Sequence, residues 1–255
     1  MADFTIEIAG YSFHIHSMFE STREYCKRYL AEKSPDCQVT VQPTDLIFEQ
    51  NMLDLEAVEE GLRLRKFTDP FLERAAIQRA IGEFLFDREV LMVHGSTVAV
   101  DDKGYLFTAR CRTGKSTHTR LWCEAFGGRA VMVNDDKPFV RISSDGIWVC
   151  GSPWSGKHGL DTNITVPLAG ICILERGKEN TIVPCDSEEA LPMLLHQSYC
   201  PLDAAKQAVF SSLVKELADR VPLWRMECNK EPDAALISYG AMSKKQLTSG
   251  RSAGP

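Results

Sequence analysis

The sequence predicts an α/β fold, and three observations carry the prediction. Apolar, strand-like runs and helical patterns follow one another along the 255 residues. The run Tyr105-Leu106-Phe107-Thr108 enters a short polar loop that closes on Gly114-Lys115-Ser116-Thr117, and a helical pattern follows at once. A later run, Ala130 to Val133, ends on Asn134-Asp135-Asp136, about one helix and one strand after Lys115. A composition of 44% apolar and 25% charged residues suits a globular chain that buries a real core, as one large domain or two small ones.

Residues 3–17 alternate in polarity like one or two strands, with Ala9-Gly10-Tyr11 as a turn. His14 and His16 then share a strand face; a metal pair and two exposed strand histidines are both open readings. Ser21 to Lys33 reads as a helix capped by Ser21 or Thr22, with Glu24 in its first turn. Val39-Thr40-Val41 and Leu46-Ile47-Phe48 read as short strands. Phe71 to Phe86 carries apolar residues at helical spacing, among them Leu72, Ala76, Ile77 and Leu85. This helix joins an N-terminal α+β region, residues 1–87, to a core at 88–242; a frayed polar tail occupies 243–255.

Within the core, Val90 to Val100 and Tyr105 to Thr108 flank the hairpin turn Asp101-Asp102-Lys103-Gly104. A helix from Lys115 to Phe126 stops at Gly127-Gly128. Ala130 to Val133 reads as a buried strand beside the loop strand. Further strands are expected at 139–142, 147–150, 169–174 and 223–226, with Ser143 to Gly146 as a turn. Helices are expected at 187–196 and 203–220.

The chemistry follows from these placements. Backbone N–H groups in a loop between strand and helix wrap phosphates, and the helix N-terminus adds partial positive charge. Lys115, as a solvated side chain, reaches the outer phosphates, and the Ser116 hydroxyl ligates Mg²⁺. Gly-Lys-Ser is also an ordinary helix start, where Ser and Thr cap. Asp135 and Asp136 at a strand end serve a phosphate-bound metal or an attacking hydroxyl; Asn-Asp-Asp is equally good Asx-turn chemistry. Gly151 to Gly159, with Trp154, Lys157 and His158, has the make-up of a binding loop or of a surface connection. Cys111 lies between Arg110 and Arg112 before a helix N-terminus. That setting favours a thiolate, or Cys111 is simply a small residue the loop tolerates.

Composition excludes several classes. A net charge of −6 disfavours non-specific nucleic-acid binding, and no apolar run approaches a membrane span. The segment Met1 to Glu7 lacks the pattern of a signal peptide. Nine cysteines without a Cys-x-x-Cys pair argue against a zinc ribbon, and the odd number fits a reducing cytoplasm. Asn229-Lys230-Glu231-Pro232 lacks the Asp needed to read guanine, so a GTPase switch is unsupported.

Taken together, the blocks resemble the catalytic domain of HPr kinase/phosphorylase and its shorter relatives, kinases of free serine and of peptide-tail hydroxyls. More distantly they resemble phosphoenolpyruvate carboxykinase. The resemblance rests on His94-Gly95, Thr113 to Thr117, Val133 to Asp136, Gly151 to His158, and Asn163 to Leu168 leading into Ile173 to Gly177. It spans roughly residues 88–240. It implies a mixed-sheet P-loop core, ATP with Mg²⁺, and phosphate transfer to a hydroxyl of a small molecule or peptide.

By motif position, Cys111, Arg112, Thr113, Gly114, Lys115, Ser116 and Thr117 would cradle the nucleotide. Asp135 and Asp136 resemble the family's paired acids, one a base and one a metal partner. Ser116 with Asp136 is the metal pair expected, while the division between the two acids stays open. His94 takes the place of a histidine near the transferred phosphate, and Trp154, Lys157 and His158 would contact the acceptor. The chain departs from the family loop at Ala109 and Arg112, where Gly is usual. A non-catalytic nucleotide-binding accessory protein is therefore the alternative. Residues 1–87 do not resemble the N-terminal domain of true HPr kinases, so HPr is not the expected acceptor. Neither nucleic acid nor membrane is an expected partner, and the oligomeric state is open.

Overall fold

Alternating polarity over the first residues makes a hairpin. The structure, a computed structural model, describes residues 1–59 and 61–244. Strands β1 (Ala2–Ile8) and β2 (Tyr11–Ser17) pair antiparallel, with Ala2 opposite Ser17 and Ile8 opposite Tyr11. Ala9 and Gly10 turn the chain at φ 54° and 90°. Strand β3 (Cys37–Thr40) adds parallel to β2. Phe4, Ile6, Phe13 and Ile15 are buried on the inner face.

Two expectations for this region change. Helix α1 (Glu20–Tyr25) is much shorter than 21–33, and a 3-10 turn follows at Lys27–Tyr29. Tyr29 is fully buried and Leu30 bridges back to Ile6, which a continued helix would prevent. Thr22 lies inside the helix and donates its hydroxyl to the buried Glu73 instead of capping. Residues 46–48, expected as a strand, belong to helix α2 (Pro43–Glu59). Pro43 opens it, the Asp45 carboxylate accepts from the Gln42 N–H at 2.8 Å, and Leu46, Glu49 and Gln50 form its buried side. Helix α3 (Asp69–Phe86) forms where helical spacing places it, with Pro70 in its first turn. Its inner side, the first sheet and Val90, Met92, Phe139, Cys150 and Trp154 make one continuous apolar cluster.

The expected strand 90–100 is two strands, β4 (Val90–Met92) and β5 (Ser96–Val100). They separate at His94-Gly95, where the His94 N–H donates to Gln197 O at 2.7 Å. A Cβ on Gly95 would lie 3.1 Å from Phe107 O, so the chain passes close to its neighbour there. Strand β6 (Lys103–Thr108) returns through Asp101 and Asp102, both at positive φ as a two-residue primed turn requires. Helix α4 (Lys115–Phe126) and strand β7 (Ala130–Asn134) follow. Strands β8 (Phe139–Ser143), β9 (Gly146–Cys150), β10 (Thr165–Arg176) and β11 (Thr181–Cys185) come next. Helices α5 (Ser187–Gln197) and α6 (Ala204–Arg220), strand β12 (Leu223–Cys228) and helix α7 (Asp233–Met242) complete the described chain. Strand β11 and helix α7 have no counterpart in the sequence reading. Most of the expected tail, residues 245–255, lies outside the described residues.

Among the described residues the nine-stranded sheet runs β4-β8-β9-β10-β6-β5-β7, with β12 beside β10 and β11 beside β12. It is mixed because β10 starts antiparallel to β9 and finishes parallel to both β6 and β12. Strand β7 pairs with β5, not with β6, and stands at an edge with Val131 exposed. The expected buried position beside the loop strand belongs to β5.

Strand alternation then covers both faces. Tyr105, Phe107, Cys172, Leu174 and Trp224 pack toward α4 and α7. Leu106, Ile171, Ile173 and Leu223 pack toward α5 and α6. Among the described residues no helix is long and apolar enough to cross a membrane.

Candidate functional site

Strand β6 delivers the loop and α4 receives it. Ala109 is fully buried in the apolar cluster with Phe107 and Trp122, so its methyl group packs into the protein. Arg112 at φ 62° and Gly114 at φ 128° turn the chain, and the Thr113 N–H donates to Arg110 O at 3.3 Å. The Arg176 guanidinium holds the Arg112 carbonyl. Gly114 stands before the first residue of helix α4 and gives it no side-chain cap. Its first N–H groups therefore have no intrahelical acceptor and face the loop. Lys115, expected in solvent, is buried, and its ammonium donates to Ala109 O at 3.1 Å. Folding the ammonium onto the loop backbone holds its charge against the loop's first residue. Cys111 and Arg112 are exposed; Thr113, Ser116 and Thr117 are half-buried.

The end of β7 brings two carboxylates to this loop. Asn134 is fully buried, and its amide donates to Ser152 O at 2.8 Å. Its Oδ1 accepts from the N–H groups of Asp136 at 2.8 Å and Lys137 at 2.7 Å. The Asx turn is therefore made by Asn134, which leaves both aspartate side chains for other work.

Asp135 is buried and accepts from Ser96 Oγ at 2.7 Å; Ser96 Oγ also lies 2.7 Å from Thr119 Oγ1. Burial raises the Asp135 carboxyl above its ordinary range, opposed by hydrogen bonds from Ser96 and Ser116. Asp136 faces His94, with Nε2 and Oδ1 3.3 Å apart. Burial pushes this carboxyl up, but the His94 hydrogen bond and the nearby Lys137 charge outweigh burial and hold it below its ordinary range. Burial, with Lys137, also lowers His94, which keeps its ring neutral near pH 7. Lys115 acts on both groups through its charge.

The loop after β9 packs under the acids. A Cβ on Gly151 would lie 2.0 Å from Thr162 O, so only glycine fits there. Ser152 Oγ donates to Lys137 O at 2.7 Å, and the Lys137 N–H to Trp154 O at 3.2 Å. Trp154, expected at the acceptor, is buried instead. Its indole N–H donates to Arg74 O at 2.9 Å, and its ring meets Phe139 edge-on. It pins the loop to the N-terminal layer and offers no surface to a ligand. A 3-10 turn at Gly156–His158 passes over Asp136, where a Cβ on Gly156 would lie 3.3 Å from Asp136 Cβ. Lys157 and His158 are exposed on that turn.

The structure thus brings together Lys115, Ser116, Asp135, Asp136 and His94, with Lys157 and His158 at the rim, and leaves Trp154 to packing. Ser96 and Thr119 escaped sequence reading, because a lone hydroxyl in a strand or a helix carries no motif. Thr119 one helical turn after Lys115 was the available signal. Beside the loop a cleft of ≈ 240 Å³ opens at the ends of β6, β10 and β12, lined in part by Arg110, Glu175, His196 and Arg225.

No family model matches the chain, and no curated protein matches it. Among solved structures, the Hpr(Ser) kinase/phosphatase from Coxiella burnetii is similar at 11% identity, covering 60% of this chain and 88% of that one, with a TM-score of 0.37. A likeness of that size carries no argument about fold or chemistry.

Proposed function

We propose that the chain is a phosphotransferase that uses Mg-ATP to phosphorylate a hydroxyl of a small molecule or peptide. One observation carries the reading. An uncapped helix start with Lys115 folded onto its loop stands beside two acids in different settings, Asp135 with Ser116 and Asp136 with His94.

The residues fit the groups this chemistry requires. Backbone N–H groups at a helix start and a lysine held against the loop suit a polyphosphate. A hydroxyl and a carboxylate, both oxygen donors, suit Mg²⁺. Ser116 and Asp135 would hold the metal, which revises the Ser116 and Asp136 pairing expected from motif position. Bound there, Mg-ATP supplies the phosphoryl group, and the metal neutralises its developing charge.

Asp136 then acts on the acceptor. Its carboxylate is ionised at neutral pH and takes the proton from the acceptor hydroxyl as that oxygen attacks. Neutral His94 donates Nε2–H to Asp136 and fixes its orientation. Lys115 stabilises charge on the transferring group. Lys157 and His158, on the turn over Asp136, meet an anionic part of the acceptor. Neither nucleic acid nor membrane enters the proposal.

A second reading is a nucleotide-binding accessory protein without transfer. Arg112 favours it, since a non-glycine residue at φ 62° crowds the loop. Incubation with γ-labelled ATP and Mg²⁺ in a mixture of metabolites and peptides, read by mass spectrometry, separates the two. Label on a hydroxyl product supports the kinase. ATP binding with neither transfer nor hydrolysis supports the accessory protein.

A further inference from the structure

Away from that site, the outer face of the N-terminal sheet gathers two imidazoles and a carboxylate. Side chains alternate across a strand, so His14 and His16 leave β2 on the same face. The antiparallel register sets Asp3 opposite His16 and Thr5 opposite His14, which adds Asp3 to that face. One donor atom from each of Asp3, His14 and His16 lies within 4.8 Å of the other two. The rings meet edge to face with centroids 4.7 Å apart. His16 Nδ1 lies 2.5 Å from Asp3 Oδ1, and His14 Nδ1 lies 3.1 Å from Thr5 Oγ1.

We propose that Asp3, His14 and His16 bind a divalent first-row transition cation of the Zn²⁺ type. Two imidazole nitrogens and one carboxylate oxygen are borderline donors, suited to Zn²⁺, Co²⁺ or Cu²⁺ and poorly suited to Mg²⁺ or Ca²⁺. Tetrahedral Zn²⁺ with bonds near 2.0 Å sets its donors roughly 3.3 Å apart. The separations here, from 2.5 Å to at most 4.8 Å, bracket that value. Side-chain rotation on a fixed hairpin closes the difference.

Thr5 supports the site from behind. With His14 Nδ1–H donating to the Thr5 hydroxyl, the lone pair at Nε2 is left for the metal, the usual outer-shell arrangement for a ligating histidine. An Asp3–His16 ion pair alone has no use for His14 or for its contact with Thr5. Three protein ligands leave a coordination position open to solvent, because Asp3 and His16 keep 70% and 40% of their side-chain surface exposed. This site is separate from the nucleotide site and uses none of its residues.

Equilibrium dialysis of the full chain against micromolar Co²⁺, with millimolar Mg²⁺ present, tests the proposal together with the absorption spectrum of the bound ion. One Co²⁺ per chain is expected, displaced by Zn²⁺ and not by Mg²⁺. Its spectrum should lack a thiolate-to-metal band, which separates this site from the nine cysteines. His14→Ala/His16→Ala should weaken binding by on the order of 100-fold or more, and Asp3→Asn by about tenfold, since even outer-shell changes cost that much. Both variants should keep the metal-free unfolding temperature, because these side chains are at least partly exposed. Failure of the wild-type chain to bind, a thiolate spectrum, or full binding by the double variant would overturn the proposal.

Discussion

Replacing Asp136 by Asn removes the proton acceptor while keeping its size. Asp136 is one-third exposed, and its contact with His94 spans 3.3 Å. A partly exposed pair of this kind contributes about 0.2–1 kcal/mol to stability. In a chain of this length, 1 kcal/mol moves the unfolding midpoint by about 2–4 °C. Loss of a general base slows transfer by about 10²–10⁴-fold, or about 2.7–5.5 kcal/mol in the barrier. The kinetic effect therefore exceeds the structural one several times over, and the two can be read separately. The assay is Mg²⁺-dependent phosphate release from ATP, with water in the acceptor's place, alongside nucleotide affinity and a thermal melt. A folded Asp136→Asn variant should bind nucleotide normally and release phosphate at the reduced rate. An unchanged rate in that folded variant would refute the assignment of Asp136 as base.

Trp154→Phe should destabilise the protein by about 0.5–1.5 kcal/mol, because it removes the part-buried hydrogen bond from the indole N–H to the Arg74 carbonyl, which keeps its helical donor. Nucleotide affinity should be unchanged; a urea titration and a binding isotherm check both, and lost affinity at unchanged stability would return Trp154 to the ligand site. His118 supplies a pH dependence. Burial lowers its imidazole to about 4, while the unfolded chain takes up that proton near 6.5. Over that window the unfolded state binds more protons, so stability falls as the pH drops, by about 2 kcal/mol between pH 7 and pH 5 from this group. His118→Gln should lose correspondingly less on acidification in urea titrations at the two pH values, and equal losses would exclude His118 as the source.

Local signals carried much of this architecture. The hairpin at Ala9-Gly10, the turn at Asp101-Asp102, the Gly127-Gly128 stop and the helical spacing of Leu72, Ala76 and Ile77 are all set by residues close in sequence. The failures are of two kinds. Leu46-Ile47-Phe48 is too short a run for its period to separate strand from helix, and Pro43 with Asp45 decides the matter. The position of β7 at an edge depends on pairing with β5, which no local pattern encodes. The site divides in the same way. The Gly-Lys-Ser-Thr and Asn-Asp-Asp blocks marked the residues that converge. The burial of Lys115, the Ser96 partner of Asp135 and the inward turn of Trp154 depend on contacts between distant segments. The face shared by His14 and His16 was legible, but Asp3 joins it only through the register of β1 on β2.

The central claim is that the loop at 109–117 binds a triphosphate with Mg²⁺. Titration calorimetry of the wild-type chain and of Lys115→Met with ATP, GTP and pyrophosphate, each with and without Mg²⁺, tests it most directly. Methionine keeps the buried stem of Lys115 and removes its charge, so the variant should remain folded. The account predicts Mg²⁺-dependent binding of ATP to the wild-type chain and its loss in the folded Lys115→Met variant. No binding by the wild-type chain, or equal affinity in the two proteins, would contradict it.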